Sequence, residues 1–592
     1  EQKGLVEFME LLEKIKEYAT QYEKEVREIS DQLREEKMPA LSRTLFDEYE
    51  INGNRLRYEA VYFKRREFLS AFGLASIIWH KKEDIQKLEY VIGEICSEEC
   101  WALSAHVKRL EDPNWRMTID LTASETGHTL AQMYALLQDE LSEETKELIK
   151  TEVSRRILIP FMKAKAPAYC WEDATNNWNA VCCGNIGSTA IFLLEDGAEK
   201  EKLLSRIRYA IETYYLEGFG ADGACTEGLG YWGYGFMNMV VFAMDQRSLD
   251  PTYDLMAFEK TEKIAHFQEK CYFAHGRTIS FSDGSGKGKY PMGLTCCLAD
   301  LYRDIRFPDP VYARGFTGDR CWNWNELYTG WRWTKQYLED VKNGIVEAPK
   351  PLAGAGVEFL PDAEWCILRG EYNTAVVAKG GNNDEPHNHN DVGSFFYLVD
   401  GEALLDDLGS GEYTKKYFSN ERYEIFCTRG LSHNIPVIGG SDQKAGSEYR
   451  ADAFEVRDGN TILISFAKAY GVENLQKLSR KLTFEERSGM LTVEDHAECK
   501  AKISVFENLV TRYPVTVEQD EKNQTDAKEY LVIHGERHKL IITVSKKIGT
   551  FHIQKEAHTS YGAKDQLINR ISWELLVDGE MNADCAMKMT LA

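Results

Sequence analysis

The chain has 592 residues, 43% hydrophobic and 28% charged, an ordinary balance for a folded globular protein, and its length corresponds to about four domain equivalents or two large domains. A formal net charge of -24 excludes the basic footprint that non-specific nucleic-acid binding needs, and only a local cleft lined by Arg and Lys would suit a polyanion. No stretch approaches the roughly 18 uninterrupted apolar residues of a membrane span, so neither nucleic acid nor membrane is expected as a partner.

The opening run EQKGLVEFMELLEK has neither a basic start nor an apolar core, and does not read as a signal peptide. The 14 cysteines include the adjacent pairs Cys182-Cys183 and Cys296-Cys297 and form no spaced framework, so reduced thiols in a cytoplasmic protein are expected. A periplasmic or secreted location follows instead if a leader has been removed.

From Gly4 to Lys37, Leu5, Phe8, Leu11, Leu12 and Ile15 recur at three- and four-residue spacing, which predicts an amphipathic helix. Further helices are predicted over 58–80, 84–103, 120–138, 142–164, 185–194, 200–217, 231–244 and 253–271. Ser142, followed by Glu143 and Glu144, has the form of a capped start with acidic residues in the first turn. Many paired helices joined by short loops predict an all-helical domain over 1–350, a toroid of helical hairpins or else a superhelix, and the toroid is the architecture expected.

Three loops of unusual composition interrupt this half. Cys170 to Asn179 gathers Asn176, Asn177 and Asn179 beside Trp171 and Trp178, which suits a sugar ring and its hydroxyls as well as it suits a turn that caps a helix. Asp222 to Gly235 is rich in Gly and Tyr but lacks the strand-then-helix context of a phosphate loop. Phe281-Ser282-Asp283-Gly284-Ser285-Gly286 reads as a turn without chemistry of its own. The Trp-rich runs around Trp322, Trp324, Trp331 and Trp333 suit packing as well as a sugar platform.

Composition changes at the Pro/Gly/Ala-rich segment 347–356. Beyond it, short turn-bounded segments with many β-branched residues predict an antiparallel β-sandwich over 351–592. The fold class expected is therefore α+β multidomain, a helical toroid followed by a sandwich. Within the second half, His387-Asn388-His389-Asn390-Asp391 precedes an apolar run broken at Asp400-Gly401, the pattern of a hairpin. In an extended segment His387 and His389 would share a face. With Asp406-Asp407 and His433-Asn434 downstream, a metal site and an acid/base site both stay open.

The run His387-x-His389-Asn390-Asp391-x-Gly393-Ser394-Phe395, continued by Leu404-Leu405, Asp407 and Gly409 and then by Ser432-His433-Asn434, resembles the heparinase II/III-like domain of polysaccharide lyases. Asn176-Asn177-Trp178-Asn179 resembles the Asn/His-rich toroid motif of that family, and Glu227-Gly228-x-x-Tyr231 the motif holding its catalytic Tyr. The chain departs from members that carry a His in the first of these motifs. His106 and His128 do not replace it, since a satisfied helix histidine is the expected state of each.

What the resemblance implies is β-elimination of a uronic-acid polysaccharide or oligosaccharide, with glycosaminoglycan (heparan sulfate, chondroitin or hyaluronan) ahead of alginate. It implies Asn177 as the carboxylate clamp, helped by Asn176 or Asn179, with Trp178 beside the substrate. Tyr231 is implied as proton donor to the leaving oxygen, and as base too when both groups lie on one side of the ring. His387 is implied as the second acid/base group, its ordinary pKa of about 6.5 suiting proton exchange. His389, Asp407 and His433 match the family's ligands for a structural zinc ion, with manganese as a substitute, and a loop through His389 is then expected in place of a regular strand. Only one of Asp406 and Asp407 should ligate, because neighbours in a strand face opposite ways. Tyr417, like Tyr413, is expected either at the substrate or in packing. A toroid glycoside hydrolase using Asp173 and Glu227, and a carbohydrate-binding protein with a structural metal, are the rival readings. Assembly as a homo-oligomer stays open.

Overall fold

Helical periodicity governs the first half of the computed structural model, which describes residues 2–519, 529–562 and 564–592. The chain forms two compact units. One comprises Glu1–Phe219, Tyr231–Ala265 and Lys289–Pro351; the other comprises Gly220–Gly230, His266–Gly288 and Leu352–Ala592. Two short segments of the helical half thus cluster with the sheet-bearing unit.

In the first unit the long helix Gln2–Glu35 buries Leu11, Ile15, Tyr22, Val26 and Leu33, a stripe at four- and seven-residue spacing. The side chains of Leu5 and Phe8, expected on the same stripe, lie outside the described residues. This helix packs on both Leu56–Trp79 and Trp324–Lys342, so the first and last long helices of the unit close the toroid. Tyr22 donates to the Leu327 carbonyl at 2.8 Å and Trp331 to Glu23 at 2.9 Å across that closure. Between them run Lys82–Cys96, Leu121–Leu136, Glu143–Val153, Asn177–Leu193, Ala198–Ala210, Leu229–Leu249 and Met292–Leu301. Ser142 caps its helix as expected, accepting from the Thr145 N–H.

Several helix boundaries differ from the periodicity. The helix expected to reach 103 ends at Cys96, and the one expected over 253–271 divides into Glu259–Ala265 and Phe267–Cys271. The helix expected from 185 starts at Asn177, eight residues earlier, because Asn176 is its N-cap and accepts from the Trp178 N–H.

The second unit is antiparallel throughout its larger sheets. A five-stranded sheet follows chain order through Gly356–Leu360, Trp365–Arg369, Thr374–Lys379, Phe395–Val399 and Glu402–Leu405. Its last two strands form the expected hairpin, with positive φ at both Asp400 (44°) and Gly401 (81°), the type I′ requirement. An eight-stranded sheet and a four-stranded sheet complete the sandwich, and Val376, Phe395, Tyr397, Leu478, Val493, Leu531, Ile571 and Met587 share its core. The long strand Lys547–Ser560 escapes sequence reading because most of its residues are exposed, so no apolar alternation marks it. All 14 cysteines are free thiols. Among the described residues no helix is long and apolar enough to cross a membrane.

Candidate functional site

In the helical unit, Asn177 occupies the first turn of Asn177–Leu193 and is 4% exposed. Its neighbour is Gly235 on the helix Leu229–Leu249: a Cβ added at Gly235 would lie 3.1 Å from both Cα and Cβ of Asn177. Only glycine admits that approach without displacement. Gly235 falls one turn beyond Tyr231 on the same helix. Trp178 is half-buried and meets the His106 ring edge-on at 4.8 Å between centroids. His106 Nδ1 is paired to Asp120 at 2.7 Å.

Two of the amides expected at the substrate do structural work. Asn179 is fully buried and donates to the Glu172 carbonyl at 2.7 Å, so it cannot reach a ligand. Asn176 uses its side-chain oxygen as the helix cap. The helix-capping alternative for this loop therefore accounts for Asn176, and a turn hydrogen bond for Asn179. Glu125, absent from the sequence reading, accepts from Tyr234 at 2.8 Å, and burial pushes its pKa up to about 8.

His128 is a buried core histidine, its Nδ1 against Asn185 Oδ1 at 3.0 Å, and burial pushes its pKa down to about 4. In the unfolded chain it would titrate near about 6.5, so between these values the unfolded state binds the proton that the folded state refuses. The stability His128 contributes is thus complete above the unfolded value and lost as pH falls toward the folded one. Relative to His128→Gln, the wild-type advantage is expected to shrink by about 3 kcal/mol between pH 7 and pH 4. Urea unfolding of both proteins at the two pH values measures this, and an unchanging difference would refute it.

In the sheet-bearing unit, the segment between Asn383 and Phe395 is a loop, as expected from two histidines with separate duties. His387 has φ of 58°, the left-handed region that a non-glycine residue seldom occupies, so the side chains of His387 and His389 do not follow strand alternation. Arg422 holds this conformation, donating to the carbonyls of His387 at 2.9 Å and Asn388 at 3.0 Å.

The residue that organises the loop is Asp283, in the turn read as having no chemistry. Its Oδ2 accepts from His387 Nδ1 at 2.8 Å and Tyr413 Oη at 3.4 Å; its Oδ1 accepts from His389 Nε2 at 3.2 Å, Arg422 Nη2 at 2.8 Å and the Tyr417 hydroxyl. Burial works against the carboxylate, but these donors outweigh it and hold its pKa far below the usual range. No local signal marks Asp283, since its two histidine partners lie 104 and 106 positions away. Its turn is pressed onto the end of the hairpin, where a Cβ at Gly409 (φ 65°) would lie 2.1 Å from the Gly284 carbonyl oxygen. His387 Nε2 faces Glu227 Oε2 at 3.7 Å.

Tyr417 is fully buried, and its hydroxyl is engaged by Asp283 and the Gly411 N–H. The expectation of substrate contact is corrected: Tyr417 packs beneath the loop, with Arg422 stacked 4.2 Å from its ring centroid. Tyr413 remains partly exposed.

His389, Asp407 and His433 are all buried, and one ligand atom from each lies within 4.8 Å of the others. Asp407 Oδ2 approaches His433 Nδ1 at 3.0 Å. The remaining ring nitrogens are used from outside, His433 Nε2 by the Cys427 carbonyl at 3.1 Å and His389 Nε2 by Asp283. His389 Nδ1 is buried without a hydrogen-bond partner. Two imidazoles backed by outer acceptors, one carboxylate and an orphaned nitrogen are a donor set that fits zinc. The neighbouring Asp406 faces away and is paired with Arg277 and Arg512. Asn434 fastens the assembly, donating to the carbonyls of Phe395 at 2.7 Å and Asp406 at 3.1 Å.

Residues 353–586 match the family model described as Heparinase II/III-like, C-terminal. Among solved structures, heparinase III is similar over 98% of this chain and 92% of its own, with a TM-score of 0.62 and 13% identity. A mutant of heparan sulfate lyase HepC from Pedobacter heparinus is similar over 94% and 84%, with a TM-score of 0.61 and 11% identity. A second heparinase III covers 100% and 91%, with a TM-score of 0.61 and 13% identity. These likenesses show a shared fold. A search of the curated proteins finds no match.

Proposed function

We propose that this chain, a helical toroid followed by a heparinase II/III-like C-terminal domain, is a polysaccharide lyase that cleaves a uronic-acid-containing polysaccharide by β-elimination, with glycosaminoglycan as its substrate class. The observation that carries the reading is the close packing of Asn177 on Gly235, one helical turn from Tyr231. An amide donor and a phenol are what such a reaction asks of a protein. The C5 proton of a uronate is weakly acidic, and its removal places charge on the adjacent carboxylate.

In this reading Asn177 donates to that carboxylate as the charge develops. A base removes the C5 proton, the electron pair of the broken C–H bond becomes the C4=C5 double bond, and the C4–O bond breaks. Tyr231 protonates the departing oxygen, and serves as base too where both groups share a side of the ring. His387 supplies the second acid/base group, with Nε2 as its exchanging atom because Nδ1 is committed to Asp283. His389, Asp407 and His433 would hold zinc, with manganese as a substitute; when bound, the ion supplies a fixed charge that orders these loops. The other residues expected at substrate reduce to Trp178, whose half-buried indole offers an apolar face to a sugar.

The test is a panel of heparan sulfate, chondroitin, hyaluronan, alginate and pectin, followed by ultraviolet absorbance of the unsaturated product. Absorbance from a glycosaminoglycan is the expected result. Absorbance from alginate alone would move the substrate class, and none from any uronate polymer would overturn the lyase reading.

A further inference from the structure

His387 and His389 share one acceptor group. Asp283 takes a hydrogen bond from each ring on a different oxygen, while Arg422 and Tyr417 donate to it as well. A carboxylate surrounded by donors has no proton to give, so each shared proton belongs to an imidazole. A neutral imidazole has a single N–H, and its position decides which nitrogen keeps a lone pair. For His387 the proton is on Nδ1 and the lone pair on Nε2. For His389 the proton is on Nε2 and the lone pair on Nδ1, the buried nitrogen without a hydrogen-bond partner. One side chain therefore selects opposite tautomers in two rings two residues apart, each suited to a different task.

We propose that Asp283 is a shared positioning residue that couples occupancy of the His389, Asp407 and His433 site to the tautomer and orientation of His387. A metal drawing on His389 Nδ1 makes the opposite N–H a stronger donor and seats Asp283 in one place, which in turn holds the His387 ring. Coupling of this kind is reciprocal, so weakening the Asp283 bridge also weakens metal binding. The catalytic consequence rests on the lyase reading; the coupling itself is measured without substrate.

The experiment uses full-length protein carrying ¹⁵N-histidine, loaded with zinc or stripped by a chelator, with His387 assigned by comparison to His387→Ala. In wild type the His387 ring nitrogens are expected to show the Nδ1–H tautomer and to shift when zinc is removed. In Asp283→Asn that response is expected to vanish, and zinc affinity, read by competition with a chromophoric chelator, to fall about 10–100-fold. With an active polymer in hand, kcat of Asp283→Asn should fall while KM stays near the wild-type value. A wild-type His387 signal indifferent to zinc overturns the proposal without any variant. Retained zinc affinity and response in a folded Asp283→Asn, or in Asp283→Glu if the first does not fold, overturns it equally. Turnover combined with either of those results removes the coupling and leaves the lyase reading standing. A zinc-dependent His387 shift with no unsaturated product does the reverse.

Discussion

Replacing Tyr231 by Phe is expected to lower kcat about 10²–10⁴-fold with little change in KM. The substitution removes only a hydroxyl. The ring stays in the helix Leu229–Leu249, so the variant should fold and should still bind polymer. What it loses is the proton given to the leaving oxygen, a step present in the transition state and absent in binding. Initial rates of absorbance increase over a range of polymer concentrations separate kcat from KM. Turnover within severalfold of wild type would remove the phenol from the chemistry and leave His387 as the acid/base group to pursue.

His433→Ala is expected to abolish metal retention and to destabilise the sheet-bearing unit by about 3–5 kcal/mol. The Asp407 carboxylate is fully buried. Burial alone would raise its pKa, yet the adjacent His433 and the bond it makes hold the pKa below the ordinary value. Without His433, Asp407 keeps the Gly409 N–H at 3.0 Å as its remaining close donor, and the Cys427 carbonyl loses the imidazole. An uncompensated buried charge is the costly outcome of breaking such a pair. Elemental analysis and urea unfolding of wild type and variant measure both effects. Equal metal content in the two proteins would reject the ligand set.

Much of the architecture was legible because it rests on local periodicity. The stripe Leu11, Ile15, Tyr22, Val26, Leu33 is written at helical spacing, and Asp400-Gly401 carries the two residue types that accept positive φ in a tight hairpin turn. Adjacency predicted that only one of Asp406 and Asp407 would ligate; both lie just past the strand Glu402–Leu405, and the arginine partners of Asp406 show that its side chain turns away. The misreadings share a cause. An Asn in a Trp-rich loop has the same composition whether it caps a helix, as Asn176 does, satisfies a buried carbonyl, as Asn179 does, or packs against a glycine of a neighbouring helix, as Asn177 does. Tyr417 has the composition of a substrate contact, and only its complete burial shows otherwise.

The sequence by itself determined the succession of helical toroid and antiparallel sandwich, the hairpin, and the three buried residues suited to a metal, because periodicity, turn chemistry and motif order act over short spans of chain. Tertiary structure alone decided how the paired histidines of the loop are held. Asp283 sits in an unremarkable glycine-rich turn more than a hundred positions from its partners, and a left-handed His387 breaks the alternation by which side-chain direction could be inferred. Ring orientation and tautomer depend on which donors and acceptors converge in space, and that convergence is a property of the folded chain.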